Sequence, residues 1–456
     1  MTRTASPRLP LLLCLACALL QIAVFHPGYV SYDVLSQLDQ ARLGVIDDVS
    51  PPAAALLFQL GERLLGGTAA VYLLNALLFW GGCALLWRAL RLSTGAAIVA
   101  MLLALPLLLL LPHVWTDLHL LSVLAMFTGI VATLRQQEGL PRALLWLLAF
   151  GLLGWATWVR HNAILAVLPL AWLLLPPAMK PGKARRLATW LAMAVVLVGL
   201  RSLSVVAVDH RTSVWAVTPM WDLQALSITS GEMLFPAGFV GPDMTVAELR
   251  SVFSENTGVP LFEAPGGVRN PTVERFTADT SATLLRAWGR ALLEHPSDWI
   301  RHRLRVFLRL FGPHHENDLM HMVDSPRFAP DAARARWQET LHGKARRVLE
   351  HFKLWGGAAA GLFLLAALAL WTLGACAAED CPRAGRFSPR TLLPRRLLGR
   401  DRQPEPDVLP ACLLFSAVIH TGALLPLAPS AELRYLAWPL WACAVAAAIT
   451  WRPKAR

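Results

Sequence analysis

The chain has 456 residues, 55% of them hydrophobic, with a mean hydropathy of +0.48. A composition so apolar over this length excludes an ordinary soluble domain and points to a polytopic membrane protein. The net charge of +12 would suit a nucleic-acid binder, but the basic residues cluster between apolar runs, as topology signals do, so no nucleic-acid partner is expected.

In chain order, Arg3 and Arg8 precede an apolar run over 9–25, read as an uncleaved first span. Further runs lie near 68–87, 95–111, 118–134, 143–158, 162–178, 187–207, 354–376, 408–426 and 434–451. Each has about 17 to 23 residues, long enough to cross a bilayer, so ten spans are expected. After the first comes a polar loop, Phe25 to Pro52, carrying Asp33, Asp39, Asp47 and Asp48. Pro27 and Gly28 stop the first helix, and Pro51 and Pro52 allow the next to start. Ala53 to Gly66 reads as an amphipathic helix lying at the interface, with Gln59, Glu62 and Arg63 on one side. The seven cysteines fall in apolar runs or in a basic loop, and no structural disulfide is expected. Cys14 and Cys17 have CxxC spacing but read as small residues of a membrane helix.

With ten spans, the clusters at Arg88 and Arg91, Arg135 and Arg142, Lys180 to Arg186, Arg383 to Arg402 and Arg452 to Arg456 share one side, the cytoplasm. The expected fold is therefore an all-α polytopic membrane protein. An N-terminal membrane domain (1–208) contains the first extracytoplasmic loop (26–67). An extracytoplasmic domain (209–353) follows between spans 7 and 8, and C-terminal membrane helices (354–456) contain a basic cytoplasmic loop (377–407) near anionic headgroups. The domain opens with an apolar stretch, Trp215 to Leu226, expected to pack on the membrane part. From Thr283 to Leu310 its pattern is helical, with a break at His295-Pro296.

Nearly every candidate chemical group falls on the other face. Asp33 reads as a general base at the mouth of a bundle, or as a helix cap or partner of an arginine. Asp47 and Asp48 suit capping or metal binding. Asp117, after Trp115 and Thr116, suits a first helical turn or a site. Arg160-His161-Asn162 joins two apolar runs with almost no loop, and Arg434-Tyr435 opens the last span. An arginine at such depth is costly unless it meets a carboxylate, a phosphate or water. The guanidinium fork suits phosphate, the alternative being an ion pair such as Arg434 with Asp33. His314 and His315 lack the helical spacing of a zinc site and read as a polar loop. Arg301 to Arg309 reads as a solvated or lipid-facing surface. No Walker A, dinucleotide-binding glycine pattern, GxSxG or HExxH occurs.

Taken in order, these residues resemble the GT-C superfamily of integral-membrane glycosyltransferases, which includes protein O-mannosyltransferases and aminoarabinose transferases. The resemblance rests on Pro27-Gly-Tyr-Val-Ser-Tyr-Asp33 with Gln37, Ala41 and Gly44, then Asp48 and Pro51-Pro52. It continues through Trp115-Thr-Asp117, Arg160-His-Asn-Ala163 with Pro169, His295-Pro296 to Arg303, and Glu432-Leu-Arg-Tyr435. It implies a polyprenyl-phosphate sugar donor and a glycan, lipid or protein acceptor of the cell envelope. It also implies an active face outside the cytoplasm of a bacterial inner (plasma) membrane. Asp33 and Asp117 would be catalytic, and Arg160, His161, Arg434, Tyr435, Gln37 and Asp48 would bind substrate. No cofactor is demanded; some relatives use a divalent metal, but no ligand set here requires one. One departure is Ser50, where related sequences often have His before Pro-Pro. The competing expectation is a transporter or flippase of a lipid-linked or anionic substrate, which would show repeats and broken helices at matching places in two halves.

Overall fold

A computed structural model describes residues 8–175, 183–264, 267–312, 340–352, 356–378 and 408–450. Over these residues the chain is helical, and only isolated β-bridges occur. Its membrane part contains α1 (Arg8–Phe25), α2 (Tyr32–Leu43), α3 (Ala53–Leu64), α4 (Ala69–Leu90), α5 (Thr94–Leu103), α6 (Thr116–Leu134), α7 (Gly139–Val159), α8 (Ala163–Ala171) and α9 (Lys183–Leu203). Next come α10 (Val217–Ser230), α11 (Val246–Ser251), α12 (Val259–Phe262), α13 (Ala278–Glu294) and α14 (Pro296–Arg309). The last are α15 (Leu341–Phe352), α16 (Gly356–Ala378), α17 (Val408–Leu427) and α18 (Ala437–Thr450), the final one entered through a 3-10 turn, Leu433–Leu436.

Among the described residues, six helical segments are long and apolar enough to cross a membrane: Ala69–Leu90, Thr116–Leu134, Gly139–Val159, Ala184–Ala207, Val408–Leu427 and Leu433–Thr450. The other four expected spans contain shorter apolar helices. Proline explains two of them. Pro106 lacks an N–H and crowds the preceding turn, so the run over 95–111 divides into α5 and a 3-10 turn, Leu105–Leu109. Pro169 lies in α8, which tightens into a 3-10 turn over Trp172–Leu174; the end of that expected span lies outside the described residues.

The most enclosed helices are α6 and the final span, 89% and 94% buried over their apolar windows. They carry Asp117 and Arg434 at their starts. α6 meets α4 at backbone distance: a Cβ on Gly82 would run into the Ala125 and Met126 backbone, and one on Gly129 into the Gly82 carbonyl. Small residues let membrane helices approach this closely where lipid supplies no hydrophobic drive to associate.

α10 to α14 enclose a second core containing Met220, Leu223, Leu249, Leu261 and Leu284. The break at His295-Pro296 is the junction of α13 and α14, with Pro296 in the first turn, where its missing N–H costs nothing. Trp221, in the stretch expected to face the membrane part, is fully buried and belongs to the main core.

The reading of Arg301 to Arg309 as surface needs correction at Arg303. That residue is 1% exposed, and its Nε lies 2.6 Å from Asp222 Oδ1. The indoles of Trp288 and Trp299 each donate to Asp222 Oδ2 at 3.0 Å. Arg303 also donates to the carbonyls of Ala428 (2.8 Å) and Thr218 (3.1 Å), fastening α14 to the end of α17. A second tie runs from the Ala431 amide to the Asn256 carbonyl, 2.7 Å.

Candidate functional site

The acidic segment after α1 is not an open loop. Its middle is α2, which starts after Ser31 in extended conformation and ends at Gly44, whose φ of 70° is left-handed. Val34, Leu35, Leu38 and Ala41 recur at helical spacing and turn one side inward. Ahead of it, Gly28 (φ +97°) makes a turn no larger residue fits, because a Cβ would collide with Val114 and Tyr72. That turn lets the Tyr29 amide donate to the Pro112 carbonyl (2.8 Å) and the Val114 amide to the Tyr29 carbonyl (3.0 Å). The Trp115 indole then donates to Ser31 Oγ at 2.7 Å and stacks on His113 at 3.8 Å. The start of α2 is thus fixed beside the start of α6, and Asp33 lies in its first turn.

Five charged groups converge here. Arg434 Nη2 is 2.6 Å from Asp33 Oδ2, and its Nε is 2.5 Å from Glu432 Oε2 and 3.7 Å from Asp117 Oδ2. Arg160 Nη1 lies 3.3 Å from the same Asp117 oxygen and donates to Thr116 Oγ1 at 3.2 Å. Asp117 therefore bridges two guanidiniums that would otherwise repel. Both also lie over the Tyr435 ring, at 5.2 Å for Arg160 and 5.7 Å for Arg434. The Tyr435 hydroxyl shares a 2.7 Å hydrogen bond with Ser430 Oγ, which donates to Glu432 Oε1 at the same distance.

Among the described residues, three carboxylates facing two guanidiniums leave one net negative charge. The members differ sharply in exposure: the side chains of Asp117 and Arg434 are 8% and 9% exposed, whereas that of Asp33 is 44%. Asp117 Oδ2 and Arg434 Nε are buried with ion-pair contacts but without an aligned hydrogen bond. The Arg434 charge holds the Asp33 carboxyl below the usual carboxylate range, against burial, which acts the other way. The cluster can therefore present an ionised carboxylate to a reactant while holding buried Arg434 and part-buried Arg160 behind it.

Asp33, Asp117, Arg160, Arg434 and Tyr435 are brought together; Gln37, Asp48 and His161 bond elsewhere. Gln37 Nε2 donates to Ser50 Oγ, 3.0 Å. Asp48 Oδ1 accepts from the Thr212 amide (2.6 Å) and hydroxyl (2.7 Å), tying the segment after α2 to the chain beyond α9. Asp209 adds to that tie by accepting from the Ile46 amide at 2.8 Å. His161 Nδ1 accepts from Arg201 Nη2 at 2.7 Å. Asp47 accepts from Gln40 and from the Val49 amide, as a capping residue does. His314 and His315 lie outside the described residues. Among the described residues no group of three or more His, Cys, Asp or Glu side chains could hold a metal ion. Sequence reasoning did not single out Glu432 as a charge partner; the signal was its place two residues before Arg434 at the mouth of the last span.

Comparison with known protein families, curated proteins and solved structures finds no match.

Proposed function

We propose that the chain is an integral-membrane glycosyltransferase of the GT-C kind. It would transfer a sugar from a polyprenyl-phosphate donor to a cell-envelope acceptor on the extracytoplasmic side of a bacterial inner membrane. The ten-span topology with basic clusters in the cytoplasm belongs to the same proposal. One observation carries it: two arginines, Arg434 buried and Arg160 largely so, and three acids, from four separate stretches of chain, meet at one end of the bundle, with Asp33 the most exposed member.

The chemistry follows from that asymmetry. A donor phosphate can approach Arg434 and Arg160 only by competing with their carboxylates, and Asp33 is the partner with the best access to solvent. Docking the phosphate on Arg434 releases Asp33 and restores its ordinary basicity. Asp33 then takes the proton of the acceptor hydroxyl or amine as the acceptor atom bonds to the anomeric carbon. The bond from that carbon to the phosphate oxygen breaks, and the polyprenyl phosphate departs with the electron pair. The two guanidiniums stabilise its growing charge. Direct displacement inverts the anomeric centre, with no covalent sugar intermediate. Asp117 keeps both arginines aimed at one point.

The test is binding of a polyprenyl phosphate to the purified full-length chain in nanodiscs. Saturable binding, lost in Arg434→Ala or Arg160→Ala, is the expected result. A folded wild type that binds no polyprenyl phosphate would end this reading.

A further inference from the structure

At the opposite end of the bundle lies a cavity of about 630 Å³ that the reaction above does not use. α6 separates the two places: Asp117 is in its first turn and Leu134 is its last residue. Nineteen residues at 1.5 Å each give about 28 Å, close to the hydrocarbon thickness of a bilayer. Among the described residues, Arg135, Arg142 and Arg186 line the cavity with Trp146 and Trp172. The arginines come from the end of α6, the start of α7 and the start of α9, so three separate elements bring the same charge to one hollow. The Trp146 indole donates to the Leu174 carbonyl at 3.0 Å, and the Arg186 guanidinium lies 5.5 Å over the Trp172 ring. Glu138, where α7 begins, is exposed and does not line the cavity.

We propose that this cavity binds the phosphodiester headgroup of an anionic phospholipid. The volume suits a glycerophosphate group with its glycerol backbone. Guanidiniums recognise phosphate oxygens through charge-assisted, often bidentate, hydrogen bonds. Two indoles mark the depth at which aromatic belts sit between hydrocarbon and headgroups. The wall points to a lipid over a free phosphate. Leu147 lines the cavity and is 61% exposed, and it continues into Leu144 and Leu148, exposed at 57% and 53% on α7. Acyl chains leaving the hollow would run along that apolar strip. The inference needs only that the bundle spans a membrane, and stands apart from the proposed transfer reaction.

The experiment titrates the full-length chain with phosphatidylglycerol or phosphatidylcholine, read by native mass spectrometry. A photoactivatable phosphatidylglycerol is used in parallel on the wild type. Phosphatidylglycerol should bind saturably and more tightly than phosphatidylcholine. Arg142→Gln or Arg186→Gln should weaken it about tenfold, as loss of one charge-assisted contact does. Arg185→Gln, beside the cavity but outside its lining, should leave it unchanged. The label should fall within 139–147 and 172–175, a readout that needs no variant to fold. Equal affinity for the two lipids, unchanged affinity in both cavity variants, or a label elsewhere would overturn the proposal. Displacement by millimolar glycerol 3-phosphate would overturn the lipid source in favour of a soluble phosphate.

Discussion

Asp33→Asn separates the two roles assigned to one carboxylate. The substitution keeps the shape of the side chain and its place in the first turn of α2 but removes the charge that Arg434 meets at 2.6 Å. Because Asp33 is 44% exposed, the pair resembles a surface ion pair, worth about 0.5–1 kcal/mol. Losing that competitor should tighten binding of a polyprenyl phosphate about two- to fivefold. Transfer should move the other way, falling about 100- to 10,000-fold, the usual contribution of a positioned general base. Single-turnover transfer with a radiolabelled polyprenyl-phosphate sugar, beside equilibrium binding of the phosphate alone, reads both effects. The pH profile adds a check. Ionised Asp33 is the active form, so the acid limb of kcat/KM, which reports the free enzyme, should lie below the usual carboxylate range. Full transfer activity in Asp33→Asn, or weaker phosphate binding, would refute the reasoning.

Arg303→Met leaves Asp222 buried without its main counter-charge and should cost on the order of 3–5 kcal/mol, seen as a large drop in thermal midpoint in detergent. Adding Asp222→Leu should recover much of the loss, and no recovery would argue against the pairing. His302, buried beside Arg303, Arg305 and Asp222, has its pKa pushed down to about 3 by burial and the two guanidinium charges. The unfolded chain takes up this proton near pH 6.5 while the folded chain does not, so stability is complete above that pH and falls as the pH drops. Between about pH 6.5 and 5 the slope should reach up to about 1.4 kcal/mol per unit, and His302→Gln should flatten it. Gly82→Leu drives a side chain into the Ala125 and Met126 backbone and should cost about 1–3 kcal/mol. Gly81→Ala meets only the flexible end of Met126 and should leave the thermal midpoint within a degree or two of wild type.

Legibility in the sequence follows from how many partners a residue has. The helical membrane character and the helix break at His295-Pro296 are readable because one composition or one proline decides each. The meeting of Asp33 with Arg434 is readable as an alternative, since an arginine at the mouth of an apolar span must find an acid or a phosphate. Its full partnership is not: Asp33, Asp117 and Glu432 are equally eligible acids, and only the packing of α2, α6 and the last span assigns them. α2 is hidden because Ser31, Asp33, Gln37 and Asp39 make the segment look like a loop, although positions 34, 35, 38 and 41 already carry an inward stripe.

Arg303 teaches the finer lesson. Four arginines among nine residues look like one charged surface, yet their register divides them. Arg301, Arg305 and Arg309 follow each other at intervals of four along the outer side and meet Asp298 and Glu255. Arg303 instead shares a stripe with Trp299, Val306 and Leu310, spaced as one buried helical face. That register places it inside, and a buried guanidinium then requires a buried acid. In the apolar stretch Trp215 to Leu226 there is one candidate, Asp222. That pair follows from the register, and it holds α14 against α10 beside the end of α17.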